Sequence, residues 1–309
     1  MTASPFLTTR EAICPADLLK RAQEIKSPRV AIAAAGAELP MEAAYEATKA
    51  GIMEPVFVGN PDGIKGEAKK LGWDIDAYPI IEAEGETACA NAAAMACGEG
   101  KADVLMKGHL HSDTFMRAAV SRDAGLRTGD RFVHIFHLTH PDGGKPLLVS
   151  DAAVNVAPNL ATKQDALKNM VHLLQTLGNT RPKVAVLSAT ESVIESVPSS
   201  VDADEIVKWA AQEVPNADVA GPLAIDGILS PEAAAIKKMQ GPVPGYADAI
   251  LVPDIVSGNA IFKSLVYMCG ACAAGVVMGA KVPILLTSRA DPAQARLASV
   301  ALASIIADA

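Results

Sequence analysis

Aromatic residues are scarce in this chain: Phe, Tyr and Trp together make up 4% of its 309 residues. That shortage argues against a protein that recognises bases or sugars by stacking them on aromatic platforms. A basic surplus is also missing. Lys and Arg number 27 against 35 Asp and Glu, a net charge of −8, which leaves no broad basic face for nucleic acid. A small anion can still be held locally, because a few Arg side chains and backbone N–H groups suffice. Cysteines are few and odd in number, five in all, and only Cys269 and Cys272 are close in sequence. A disulfide framework does not fit that usage, and a reducing cytoplasm does. The N-terminal MTASPFLTTREAICP carries no apolar core of a signal peptide. The longest apolar run, Ser264–Ala280, is 17 residues and rich in Gly and Ala, so it reads as a helix buried in a soluble protein and not as a membrane span.

What the chain has in quantity is core material, 50% hydrophobic residues, and a regular alternation of strand-like and helix-like stretches. Arg29–Ala35, Glu54–Val58, Ala102–Met106, Lys183–Leu187, Ala249–Val252 and Val282–Leu286 read as strands, with helix-like segments between them. Phe132–Phe136 and Leu147–Ser150 read as paired strands, because His140-Pro141-Asp142-Gly143-Gly144 between them is a turn signal. Ser257–Ala280 reads as one long apolar helix. The pattern predicts an α/β fold of mostly parallel sheets with helices on both faces. A single sheet of about ten or more strands is uncommon, so two domains are expected. The crossing points expected are after Asp151 and near Thr287–Arg289. One discontinuous domain would then hold residues 1–151 and 288–309, the other 152–287, with a cleft between them.

Ligands in such sheets sit beyond the carboxyl ends of strands, so the residues following each strand are the candidates. Thr287-Ser288-Arg289-Ala290-Asp291-Pro292 is the most informative stretch. Pro292 suits the first position of a helix, which makes Asp291 its N-cap, with Gln294 completing a capping-box pattern. A helix N-terminus also presents free N–H groups to an anion. Arg289 offers a planar fork of donors for phosphate oxygens, and Ser288 a hydroxyl for a developing oxyanion. Asp254 precedes Ser257-Gly258-Asn259, where Ser257 or Asn259 reads as a helix cap and Gly258 allows close ligand approach. Lys263 follows Asn259 by one turn and points toward the same end. Lys107 reads equally as a phosphate-binding cation or a solvated end residue. Arg117 either reaches an anion from the next helix or lies on the surface. His134, His137 and His140 would not converge on a metal from a strand, and Cys269 and Cys272 read as core packing in mid-helix, so no metal site is expected. There is no Walker P-loop and no Gly-x-Gly-x-x-Gly after a strand, so nucleoside triphosphate and NAD lack their usual fingerprints.

Six motifs occur in order: Leu105-Met106-Lys107-Gly108, Gly125-Leu126-Arg127-Thr128-Gly129, Ser150-Asp151-Ala152-Ala153-Val154-Asn155, Gly221-Pro222-Leu223-Ala224-Ile225-Asp226, Pro253 through Asn259, and Thr287 through Asp291. With them the chain resembles the phosphate acetyltransferase/phosphate butyryltransferase family from about Arg29 onward, in style closer to the butyryltransferase-like branch. The resemblance implies a two-domain architecture related to isocitrate/isopropylmalate dehydrogenases, with the active site in the interdomain cleft. It implies a cytoplasmic homodimer acting on acyl-CoA and orthophosphate, with coenzyme A as substrate, no tightly bound cofactor and no metal. Ser288 and Arg289 match the family's Ser-Arg pair, with Asp291 as the nearest carboxylate. Arg117 matches an Arg that contacts phosphate or CoA. Lys107, Asn155, Asp254, Ser257, Gly258, Asn259 and Lys263 complete the expected substrate-binding set. One position departs: the acetyltransferase branch has an Asp seven residues after the Ser, where this chain has Ala295. The alternatives are a non-catalytic acyl-CoA or phosphate sensor and a metal-dependent decarboxylating dehydrogenase of the related fold.

Overall fold

The computed structural model describes residues 4–286 and 290–309. The chain forms α1 (Ala16–Gln23), β1 (Arg29–Ala33), α2 (Glu38–Lys49), β2 (Glu54–Gly59), α3 (Pro61–Lys70), β3 (Ile80–Glu82), α4 (Glu86–Gly98), β4 (Val104–Lys107) and α5 (Ser112–Ala119). It continues with β5 (Val133–Thr139), β6 (Leu147–Ser150), α6 (Leu160–Thr176), β7 (Lys183–Leu187), α7 (Pro198–Glu213), β8 (Asp218–Leu223), α8 (Ile225–Leu229), α9 (Pro231–Ile236), β9 (Ala249–Leu251) and α10 (Ile255–Cys269). Last come β10 (Cys272–Met278), β11 (Ile284–Leu285) and α11 (Ala293–Asp308). Two compact units result. One comprises Met1–Glu11 and Arg131–Ala273, the other Ala12–Asp130 and Ala274–Ala309. The chain therefore passes between units at 11/12, 130/131 and 273/274, not at the 151/152 and 287/288 limits expected from sequence. Strands β5 and β6 pair with each other, and that hairpin keeps residues 131–151 with the segment that follows them.

In the unit containing Ala12–Asp130 the strand order is β3-β2-β1-β4-β11-β10. All neighbours run parallel except β10 against β11. Val30, Ala31, Ile32 and Ala33 of β1 are fully buried, as a central parallel strand covered on both faces requires. In the unit containing Arg131–Ala273 the order is β5-β6-β9-β7-β8, with only β5 and β6 antiparallel. Its core joins Leu138, Val149, Ala185, Leu223 and Ile250 from the strands to Ile228, Val252 and Ala271. Helix α6 shows how sequence builds such a layer. Asn159 caps it by accepting the Thr162 N–H at 2.9 Å, worth about 1 kcal/mol. Ala166, Leu167, Met170, Val171 and Leu174 then recur at helical spacing and are all buried.

The expected helix over Ser257–Ala280 is two elements. α10 stops at Cys269 because Gly270 takes the left-handed conformation, φ 74° and ψ 21°. Gly270 N–H then bonds Val266 O, the 5→1 bond of a left-handed helix stop, and Ala271 N–H bonds Leu265 O. The rest of the run is β10. Cys269 is accordingly an exposed helix end and Cys272 a buried strand residue, not two packed positions of one helix. The start of the last helix is also corrected. α11 begins at Ala293 with Pro292, not Asp291, at the N-cap, and Pro292 makes no side-chain cap bond. The backbone of Pro292 is extended, ψ 152°, so the helix opens one residue late. Gln294 accepts the Cys14 N–H at 3.1 Å.

Candidate functional site

β6 and β9 are parallel neighbours with Ser150 opposite Leu251, so their carboxyl ends deliver two loops to the same place. The first loop, residues 151–155, is organised by one carboxylate. Asp151 is 4% exposed. Its Oδ1 accepts the N–H groups of Ala153 at 2.8 Å and Val154 at 2.9 Å. Its Oδ2 accepts His134 N–H at 3.0 Å, Asn155 N–H at 3.3 Å and the Asn155 Nδ2 amide at 2.7 Å. Asn155 Nδ2 also donates to Phe132 O at 2.8 Å. The successive N–H groups of this turn form the kind of concavity that could hold a phosphate, but the chain's own carboxylate fills it.

The second loop starts α10. Asp254 is the cap, accepting Ser257 N–H at 2.8 Å and the Ser257 hydroxyl at 3.1 Å. That corrects the expectation that Ser257 or Asn259 caps the helix. Asn259 donates from Nδ2 to Ala152 O at 3.3 Å, tying the two loops together. Gly258 sits where a Cβ would lie 2.6 Å from Asp151 O and 3.0 Å from Ala152 Cα. The glycine thus serves the approach of one backbone to another. Lys263 lies on the exposed side of α10. Asn155, Asp254, Ser257, Gly258 and Asn259 are therefore brought together, and much of their hydrogen-bonding capacity is spent within the protein: Asp254 on Ser257, Asn155 on Asp151 and Phe132, Asn259 on Ala152. Under this turn Phe136 and Phe262 stack at 3.8 Å between ring centres, and His134 lies 4.3 Å from Phe136. Burial pushes the His134 imidazole down to about 4, against a smaller upward pull from the Asp151 carboxylate. His134 is a neutral ring at neutral pH.

The remaining candidates belong to the other unit. Lys107 is the last residue of β4, in register with Ala33 of β1, and is buried. The solvated-end reading of Lys107 is thereby excluded. Arg117 is exposed on α5, with a guanidinium nitrogen 3.7 Å from Asp113, one turn away. Asp291 is half-buried, and its carbonyl accepts from Arg296 Nη1 at 2.6 Å. Ala295 is buried on α11. Ser288 and Arg289 lie outside the described residues. Among the described residues no group of three or more His, Cys, Asp or Glu is placed to hold a metal ion. No described helix is long and apolar enough to cross a membrane.

Sequence reasoning missed two features. Asp151 was visible as the residue after a strand, yet nothing in one sequence shows that five N–H groups converge on it. Glu86 was not paired with any histidine. It accepts His111 N–H at 3.0 Å and lies 2.8 Å from the ring Nδ1. The His111 backbone N–H first, and its ring second, hold the Glu86 carboxyl below the usual carboxylate range.

Residues 86–304 match the family described as "Phosphate acetyl/butaryl transferase". A phosphate acetyltransferase of Rhizobium meliloti is 37% identical over 293 residues, covering 94% of this chain and 93% of that protein. A phosphate butyryltransferase of Clostridium acetobutylicum is 34% identical, covering 94% of this chain and 97% of that protein. A branched-chain phosphotransacylase structure from Enterococcus faecalis V583 superposes with a TM-score of 0.80 at 30% identity, covering 90% of this chain and 98% of that one.

Proposed function

The chain belongs to the phosphate acetyl/butyryl transferase family and is a phosphate acyltransferase, and we propose how its residues carry that reaction. The reaction moves an acyl group reversibly between acyl-CoA and orthophosphate, giving acyl phosphate and free CoA. Phosphate attacks the thioester carbonyl directly, and the CoA thiolate leaves. Arg289 and Arg117 neutralise and orient the phosphate, turning an encounter into a positioned attack. Ser288 donates to the tetrahedral oxyanion, an effect of about 3–4 kcal/mol for a good donor. Asp291 is the carboxylate that takes the thiol proton in the reverse direction, in place of the Asp that Ala295 replaces. Lys107, Asn155, Asp254, Ser257, Gly258, Asn259 and Lys263 form the substrate-binding surface.

One observation supports this surface more than any other. Two motifs, ending in Asn155 and Asn259, meet at the carboxyl ends of β6 and β9 through the hydrogen bond between Asn259 and Ala152, 107 residues apart. Part of the same proposal are CoA as substrate with no tightly bound cofactor, and a cytoplasmic homodimer. So is the two-domain, isocitrate/isopropylmalate dehydrogenase-like architecture with an interdomain cleft. Relatives named acetyltransferase and butyryltransferase match almost equally, at 37% and 34% identity, which favours short acyl chains without dividing the two. The sensor and dehydrogenase readings are not favoured.

The test is phosphate-dependent release of free thiol from acetyl- and butyryl-CoA. Arg289→Ala is expected to abolish release while the circular dichroism spectrum and Tm stay near those of the unaltered chain. Full turnover with normal phosphate saturation in that variant would refute the assignment.

A further inference from the structure

We infer that Asp151 is a positioning residue of the acyl-transfer reaction, holding the 152–155 loop and the first turn of α10 in register without touching substrate. The inference rests on the substrate-binding surface proposed above. Each oxygen of the carboxylate accepts at least two N–H groups, Oδ1 from Ala153 and Val154, Oδ2 from His134 and from both the backbone and side chain of Asn155. Five donors on one buried carboxylate hold the loop in this arrangement, because a shift of the loop would leave the Asp151 oxygens, at 4% exposure, short of partners that water cannot readily replace. The adjacent imidazole is neutral and contributes no balancing charge, so these dipoles are what offset the buried negative charge on this side. The order is passed on by contact. Gly258 packs on Asp151 O and Ala152 Cα, and Asn259 bonds Ala152 O. A shift of the loop therefore moves Asn155 and Asn259 together.

A second buried aspartate in the same sheet serves as the control. Asp248 precedes β9 and so lies at the amino end of the strands, opposite to Asp151. It too is buried, accepting Lys183 N–H at 2.7 Å and pairing with Lys145 at 2.6 Å. Asp151→Asn is nearly isosteric, but its NH2 must face N–H groups whichever way the amide is turned. Asp151→Asn and Asp248→Asn are compared with the unaltered enzyme by thermal melt and by kcat and KM for acyl-CoA and phosphate, well below every Tm. We expect Asp151→Asn to lose at least tenfold in kcat/KM, with KM rising for at least one substrate. We expect Asp248→Asn to lower Tm by a similar amount and keep its steady-state constants. Unaltered constants in folded Asp151→Asn, or the same kinetic loss in Asp248→Asn, would overturn the inference. Hydrogen exchange on the unaltered enzyme gives a test that needs no folded variant: the Ala153–Asn155 amides exchange slowly if held, and rapid exchange there also overturns it. An unaltered enzyme that releases no thiol under phosphate would instead sink the substrate reading itself, which separates the two failures.

Discussion

Gly258 shows how little room one residue has in this site. A methyl group there would press against a main-chain carbonyl 2.6 Å away, and backbone cannot swing aside as a side chain can. Gly258→Ala is expected to cost about 1–3 kcal/mol as an overpacking change. It should also displace the α10 start from the 151–155 loop, read as a lower Tm together with a raised KM for acyl-CoA. A Tm loss with unchanged KM would mean that the contact stabilises without positioning. The same scale explains why Asn155 and Asn259 are not simple ligand donors. Both spend their Nδ2 groups on the protein, which leaves each side-chain carbonyl oxygen as the more available atom.

At the scale of elements the decisive feature is the stop at Gly270. The residues on either side are apolar throughout, so hydrophobicity alone does not tell helix from strand there. A left-handed glycine divides them, and only a glycine adopts that conformation without strain. Gly270→Ala should destabilise the protein by about 1 kcal/mol through backbone strain alone. The added Cβ would also lie 3.0 Å from the Arg10 Cβ. The expected result is a lower midpoint in urea with an unchanged slope, and an unaltered midpoint would contradict this account of the helix end. Helix α10 itself differs from the buried helix expected. Gly258 is its only buried residue, and Val256, Tyr267 and Met268 are exposed.

For the whole molecule the buried imidazole links folding to acidity. An unfolded histidine titrates near about 6.5, whereas His134 in the fold takes a proton only near about 4. Between those values the unfolded chain binds more protons than the folded one, so stability falls as pH drops from about 6.5 toward 4 and then levels for this group. Carboxylates held low by their partners, Asp103 through Arg29 and Asp142 through Arg10, act in the same direction at lower pH. His134→Phe should flatten the stability-against-pH curve by one proton's slope in the window between about 4 and 6.5. Parallel curves for the two proteins would show that His134 is not the group responsible.

The sequence by itself determined the alternation of strands and helices, the parallel character of the sheets and the family. These depend on local periodicity and on motifs whose residue types are legible wherever they fall. Leu147–Ser150, for example, was readable as a strand paired across a Gly-rich turn, and it pairs with β5 as read. Where the apolar run breaks, where the last helix opens and which carboxylate orders the site were decided only by tertiary structure. Each depends on groups distant in the chain: Gly270 meets Arg10, Gln294 meets the Cys14 backbone, and Asp151 gathers donors from another strand and its own loop. A hydrogen bond between residues far apart leaves no periodic trace in a single sequence. Its energy exists only once packing has excluded water from both partners.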